Sequence, residues 1–284
     1  MGHLGWRRAA CLPAARARLI HLTRGAGAHL VIAVFAPIRM ILNPQASLDK
    51  AKAIFTNGVQ KEAGDQGRDI MFSVFECVTH QHDPRLVLIA AFVCVLGNIS
   101  LFVVLNRSTF CIDIRRRHWL VVAAIAEGVG VWATHFVAML AYRGAMPIRF
   151  DAGLTLLSVA IAIAFFWCSL RWLGKEPGVW RCAAAGAGAA IGVAGMHFTG
   201  MASIIAPARV LYDPAPILVS IFLSGLCFWA AFLCFVKTAT WRKIVLPAAF
   251  AVFAIVVMHF TAMSATTLVP DPTRAVAFSA AVNR

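Results

Sequence analysis

Charged side chains are scarce in this chain, since Asp, Glu, Lys and Arg together make up 13% of its 284 residues. A soluble globular domain carries about 25% charged residues, so the composition excludes an ordinary water-soluble fold. Hydrophobic residues account for 61% of the chain, and mean hydropathy is +0.79. These values predict an integral membrane protein.

The chain also lacks the signatures of several function classes. It contains no glycine-rich phosphate loop and no recognisable nucleophile–base pair, so we expect that it is not an enzyme. Most of its eight cysteines fall within apolar runs, which argues against a disulfide framework. The net charge of +14 is not accompanied by interleaved aromatic and basic residues, so we expect no nucleic-acid partner.

Six apolar stretches are long enough, at about 20 residues, to cross a bilayer. We predict spans at Leu86–Leu105, Trp119–Leu140, Leu154–Leu173, Cys182–Ile204, Ile217–Val236 and Ile244–Leu268. The loops after the first, third and fifth spans carry ten Lys and Arg, against three in the alternate loops. By the positive-inside rule the first set is cytoplasmic, so the second, fourth and sixth spans end on the extracytoplasmic side of the membrane.

A His-Phe-x-x-Met motif recurs near the ends of these even-numbered spans with a fixed period of 62 residues. Its copies begin and end at His135 and Met139, His197 and Met201, and His259 and Met263. A period that contains two spans predicts parallel repeats. The expected fold is therefore an all-α, polytopic bundle of about six transmembrane helices, built from parallel two-helix repeats of 62 residues.

The motifs supply ligands for a soft metal ion. Imidazole and thioether side chains both suit copper, and thioethers favour its cuprous state. Because all three motifs end on one side, we predict one shared copper site. Further candidate ligands are Met196, Met258, Cys77 and His82. Two alternatives remain open: a haem protein with two axial histidines, and a small channel or transporter that uses the intramembrane Glu127.

These motifs resemble the MHYT domain, a bacterial integral-membrane sensor module. The resemblance covers about residues 71–272 and is carried by Trp132–Met139, Gly195–Met201, Met258–Met263, Thr267–Asp271 and the approach to the first span, Cys77–Leu86. Phe stands in place of the family's Tyr in every copy. The resemblance implies a copper-binding sensor that responds to oxygen, carbon monoxide, nitric oxide or redox state.

The two ends of the chain differ from its apolar middle. Residues 1–70 carry ten Lys and Arg against four acids. We expect this segment to be poorly structured and the working module, residues 71–272, to begin near Met71. We expect residues 273–284 to form a short tail where the family has its seventh span. The expected partners are the lipid bilayer and a separate signalling output protein, and no sequence feature predicts an oligomeric state.

Overall fold

The computed structural model describes residues 82–143 and 148–271, and within these ranges the chain is dominated by six long helices. They are α1 Pro84–Thr109, α2 Asp113–Ala141, α3 Ala152–Leu173, α4 Val179–Ala202, α5 Pro214–Lys237 and α6 Arg242–Ser264. All six are long and apolar enough to cross a membrane. The prediction of a six-span helical bundle with two helices per repeat is therefore confirmed. The predictions about residues 1–70, Cys77 and residues 273–284 lie outside the described residues.

The helices pack in chain order into a closed ring, because α1 also contacts α6. Half or more of the most apolar stretch is buried in α2, α4 and α6, against a third or less in α1, α3 and α5. The most buried helix, α4, contacts both α2 and α6. Each repeat thus contributes one outer helix and one inner helix, and the three motif-bearing helices are the inner ones.

Each outer helix begins at an aspartate. The side chains of Asp83, Asp151 and Asp213 accept hydrogen bonds from backbone N–H groups two or three residues further on. These bonds satisfy donors that the first turn of a helix otherwise leaves free. Pro84 and Pro214 follow at the first helical position, where a missing N–H costs nothing. The N-cap aspartates therefore fix where α1, α3 and α5 enter the bundle.

Short antiparallel pairings close the end of the bundle at which the motifs lie, called the motif end below. In each repeat, the segment before the outer helix pairs with the segment after the motif. The pairs are His82 with Tyr142, β1 Arg149–Phe150 with β2 Ile204–Ile205, and β3 Ala208–Tyr212 with β4 Thr266–Pro270. The backbone of each repeat is thereby hydrogen-bonded across its open end.

These strands correct two predicted span ends. The fourth span was expected to continue to Ile204 and the sixth to Leu268, but α4 ends at Ala202 and α6 at Ser264. The residues beyond are apolar or β-branched, and they suit a strand that pairs with a neighbouring segment. Hydropathy alone does not separate an apolar strand from the last turn of an apolar helix.

Glycines on α4 bring this central helix close to its neighbours. A Cβ at Gly186 would lie 2.6 Å from the backbone nitrogen of Trp229 on α5, and one at Gly192 would lie 2.5 Å from the Cβ of Phe165 on α3. Both distances are too short for a side chain. Small residues at these points let the backbones approach, which is how helices gain packing energy in a membrane.

Candidate metal centre

The three motif histidines meet in the centre of the bundle. The Nδ1 atom of His135 lies 3.2 Å from Nδ1 of His197 and 3.4 Å from Nδ1 of His259. One ring nitrogen from each histidine lies within 4.8 Å of the other two. All three side chains are buried, and their rings pack edge to face with centroids 4.8–5.4 Å apart. The structure thus brings the three repeats together at one point.

The protons of neutral imidazoles do not satisfy this arrangement. A neutral ring carries one N–H donor and one acceptor nitrogen. The Nε2 atoms of His135, His197 and His259 are buried without a hydrogen-bond partner among the described residues. If the protons are on Nε2, three Nδ1 lone pairs face one another. If His197 and His259 carry Nδ1–H, both rings can donate to Nδ1 of His135, but all three Nε2 atoms still lack a partner among the described residues. A cation held by the three Nδ1 lone pairs would remove the repulsion between them, with the proton of each ring on Nε2. The Nε2 atoms would still have no partner among the described residues.

The spacing of the nitrogens fits a metal ion. Zinc–imidazole bonds measure about 2.0 Å, so an ion bound equally by three nitrogens would hold them about 3.5 Å apart. Two of the three Nδ1 separations are 3.2 and 3.4 Å, and one ligand nitrogen from each ring lies within 4.8 Å of the others. A cavity of about 10 Å³ lies among the rings, which is room for about one water-sized species. The residues present therefore fit a single small ion held by imidazole.

In addition to the histidines, two further positions of each repeat line this cavity. They are Val131, Val193 and Ile255, one turn before each histidine, and Thr134, Met196 and Met258, immediately before it. The sulfur-bearing side chains of Met196 and Met258 thus lie at the cavity in two repeats, whereas Thr134 occupies that position in the first. The lining is chemically uneven although the backbone repeats.

The three closing methionines occupy a different layer. Met139, Met201 and Met263 form a buried cluster of their own, packed against side chains of the motif end that include Tyr142 and Tyr212. Their position four residues after each histidine places this layer about one helical turn closer to the strands. Their assignment as metal ligands stays a prediction, and the structure shows them as a packed layer above the histidines.

His82 lies at the motif end, where its buried ring contacts two aromatic side chains. The centroid of the His82 ring lies 5.5 Å from the ring centroid of Tyr142 and 5.4 Å from that of Phe260, and both pairs are edge to face. This position brings His82 beside the third motif but not into the group of three histidines that could share an ion. Its role as a ligand stays a prediction, and Cys77 lies outside the described residues.

Gly200 is a residue of the site that the sequence reasoning missed. A Cβ at this position would lie 2.6 Å from Nε2 and 3.0 Å from Cδ2 of His135. The ring of His135 therefore rests against the backbone of α4. A signal existed in the repeat itself, because Gly200 stands where the other two copies have Ala138 and Ala262.

Glu127 lies on the same inner helix as His135, two turns further from the motif end. It is fully buried, and neither carboxyl oxygen has a hydrogen-bond partner among the described residues. Its Oε2 faces the glycine contact between α1 and α2, 3.8 Å from where a Cβ on Gly97 would lie. Glu127 therefore does not line the histidine cavity.

Comparison with known proteins finds relatives among bacterial signalling proteins. Residues 128–186 and 191–248 match the family model MHYT, described as a bacterial signalling protein N-terminal repeat. An uncharacterized signaling protein of Caulobacter vibrioides is 32% identical over 201 residues, which is 71% of this chain and 25% of that protein. No solved structure matches the chain.

Two relatives from Pseudomonas aeruginosa carry enzyme names. The bifunctional diguanylate cyclase/cyclic di-GMP phosphodiesterase MucR is 34% identical over 195 residues, which is 65% of this chain and 28% of MucR. The cyclic di-GMP phosphodiesterase NbdA is 32% identical over 194 residues, which is 66% of this chain and 25% of NbdA. The chain spans about a quarter of the length of the curated relatives that it matches.

The names of these relatives contradict the expectation, drawn from the sequence, that the chain is not an enzyme. That expectation is wrong for this kind of protein. It was drawn from the absence of catalytic motifs in the residues at hand. The matched part of MucR and NbdA is about a quarter of each protein, so most of their length lies outside it. Motifs missing from the shared region therefore do not argue against catalysis.

Proposed function

Since this chain belongs to the MHYT family of bacterial signalling proteins, we propose that its six-helix membrane domain is a sensor that binds copper at the three motif histidines. The observation that carries the proposal is the convergence of three buried imidazoles, with Nδ1 separations of 3.2 and 3.4 Å. Three Nδ1 atoms at these separations can form at most two hydrogen bonds with one another, whereas one ion bound by all three would use every Nδ1 lone pair.

The donor set favours cuprous copper over harder ions. Imidazole nitrogen suits copper in both oxidation states, and thioether sulfur selects the cuprous ion. Among the described residues no carboxylate lines the cavity, and Met196 and Met258 contribute the thioether groups of its lining. Imidazole and thioether ligands are neutral, so they do not compensate the charge of a bound ion. Burying a monovalent ion in such a site therefore costs less than burying a divalent one. The closing methionines and His82 would extend the soft environment towards the motif end.

Copper supplies a centre that binds small diatomic molecules and changes oxidation state. We infer that the signal is oxygen, carbon monoxide, nitric oxide or redox state, and that it enters from the motif end. The charge of the loops supports a periplasmic position for that end. The three ligands belong to α2, α4 and α6, so any change in ligand position displaces the inner helices relative to one another.

The names of the relatives suggest the output. MucR and NbdA are named for cyclic di-GMP synthesis and breakdown, and each shares the membrane region with this chain. We infer that the sensor controls turnover of cyclic di-GMP, either by a catalytic region in the same protein or by a partner.

The small cavity supports a bound ion over haem, because a space of about 10 Å³ between contacting rings does not hold a macrocycle.

The test is the copper content of the full chain, purified in detergent and loaded under reducing conditions. We expect about one copper per chain in the wild type and none after His135, His197 and His259 are all replaced by Ala. The matched control is His118→Ala, the same substitution at an exposed histidine at the other end of α2. Circular dichroism checks that each variant keeps its helices.

Two outcomes contradict the proposal. Equal copper content in the wild type and the triple variant would show that the histidines are not the ligands. A Soret absorption band in the purified protein, lost in the triple variant, would assign the same histidines to haem.

A further inference from the structure

A second, larger cavity lies at the end of the bundle opposite the motif end, called the basic end below. It has a volume of about 620 Å³ and opens between the last turn of α1 and the first turns of α2. Its lining includes Arg107, Phe110, Arg115, His118, Trp119 and Val122. Nothing in the histidine site or in the proposed sensing function uses this cavity.

The cavity is cationic and its cations are unengaged. No Asp or Glu belongs to the lining, which contributes two guanidinium groups and one imidazole. The acid closest in sequence, Asp113, is already paired with Lys175 at 2.8 Å. Neither Arg107 nor Arg115 forms an ion pair with any of the described residues. The lining is therefore complementary to an anion, and arginine binds phosphate oxygens in two-point geometry.

Two exposed apolar stripes lead from this cavity towards the middle of the bundle. Along α1 they comprise Val103, Ile99 and Leu96, and along α2 they comprise Val122, Ile125 and Val129. Spacings of three and four residues keep each stripe on one helix face. In a bilayer these faces contact acyl chains. A ligand that fills the cavity and continues along the stripes would need an anionic head and an apolar tail.

We propose that this cavity binds the headgroup phosphate of an anionic phospholipid. Arg107 and Arg115 contact the phosphate, and Trp119 lies at the interface between headgroup and chain, where tryptophan is enriched in membrane proteins. The acyl chains lie on the stripes of α1 and α2. Basic pockets between transmembrane helices bind anionic headgroups by this combination of charge and apolar contact. The continuity with the apolar stripes favours a lipid over free phosphate.

The experiment measures lipid bound to the full chain by native mass spectrometry. The purified protein is titrated with phosphatidylglycerol and, separately, with phosphatidylcholine of the same acyl chains. We expect tighter binding of phosphatidylglycerol. The double variant Arg107→Gln, Arg115→Gln should weaken that binding up to about 25-fold, since each direct, exposed ion pair between an arginine and the phosphate contributes up to about fivefold. The matched control, Arg117→Gln, removes a charge from the same turn of α2 outside the cavity lining and should leave binding within about twofold of the wild type.

Three results would overturn the proposal. The first is equal affinity of the wild type for the two lipids, which needs no variant and so holds even if the double variant does not fold. The second is unchanged binding of phosphatidylglycerol by a folded double variant. The third is displacement of the lipid by inorganic phosphate at equal concentration, which would identify the cavity as a site for a free anion.

Discussion

The substitution Gly200→Ala tests whether the position of His135 sets the copper site. Gly200 is buried on α4, and a methyl group there would lie 2.6 Å from Nε2 of His135. Ordinary contacts of a Cβ begin at 3.4 Å, so the ring must retreat by about 0.8 Å, the difference between these distances. Metal–ligand bonds tolerate about 0.2 Å. The added methyl would therefore displace one of the three proposed ligands while all three histidines stay in the sequence.

The expected magnitude is large for binding and small for stability. Disturbing a residue that positions a ligand typically costs 10- to 100-fold in metal affinity, so we expect a loss in this range for Gly200→Ala. Overpacking costs about 1–3 kcal/mol. Replacing a glycine by alanine returns about 0.5–1 kcal/mol in the middle of a helix and less in the last turn, where Gly200 lies. The two effects on folding partly offset each other, so the helical bundle should survive with a modestly lower melting temperature.

The assay is a competition titration of cuprous copper between the purified protein and a colorimetric chelator. Gly225→Ala is the matched control, because a Cβ there meets nothing closer than 3.8 Å and adds the same methyl to a membrane helix. It should bind copper as the wild type does. If Gly200→Ala binds copper within about threefold of the wild type while its thermal stability falls, His135 is not a ligand whose position matters, and the three-histidine site is refuted.

Two further predictions concern groups outside the site. Glu127→Leu should raise the melting temperature, because it removes a buried carboxyl group without a hydrogen-bond partner among the described residues; a lower melting temperature would reveal that the carboxyl is engaged. At the motif end, a hydrogen bond from Arg143, 2.9 Å away, lowers the pKa of Asp83 below its usual value. This interaction stabilises the fold above the unfolded pKa and is lost as pH falls through the lower folded value. The difference in melting temperature between the wild type and Arg143→Gln should therefore be present at neutral pH and shrink in acid, whereas a constant difference would contradict the assignment.

The 62-residue period carried most of what the sequence could predict. It fixed two helices per repeat and the same direction for all three motifs, and helical geometry then required His135, His197 and His259 to lie at similar depth. The three histidines could meet at one point only if the motif-bearing helices were the inner helices of the bundle. The lower mean hydropathy of α2 and α4 and the small residues of α4 agree with that position, whereas α6 is about as apolar as the outer helices.

Other parts of the site depend on side-chain direction, which the period does not specify. The motif pairs His197 with Met201, but the structure places Met196 at the ion-sized cavity and Met201 in the layer above it. Residues one position apart on a helix differ by about 100° in direction, so the choice between them is set by how far each inner helix is rotated. That rotation comes from packing against the outer helices. The strand pairs at the motif end were missed because strands of two to five residues leave too short a pattern to read.

Joining three copies in one polypeptide frees them to differ. In an assembly of three identical subunits, any substitution at the centre would occur three times, and the surroundings of the ion would be uniform. Here Thr134 occupies the place held by Met196 and Met258, and Gly200 that held by Ala138 and Ala262. The linked chain can therefore keep one side of its centre smaller and more polar than the other two. A sensor built this way can admit its signal from a single direction while the remaining copies hold the ion in place.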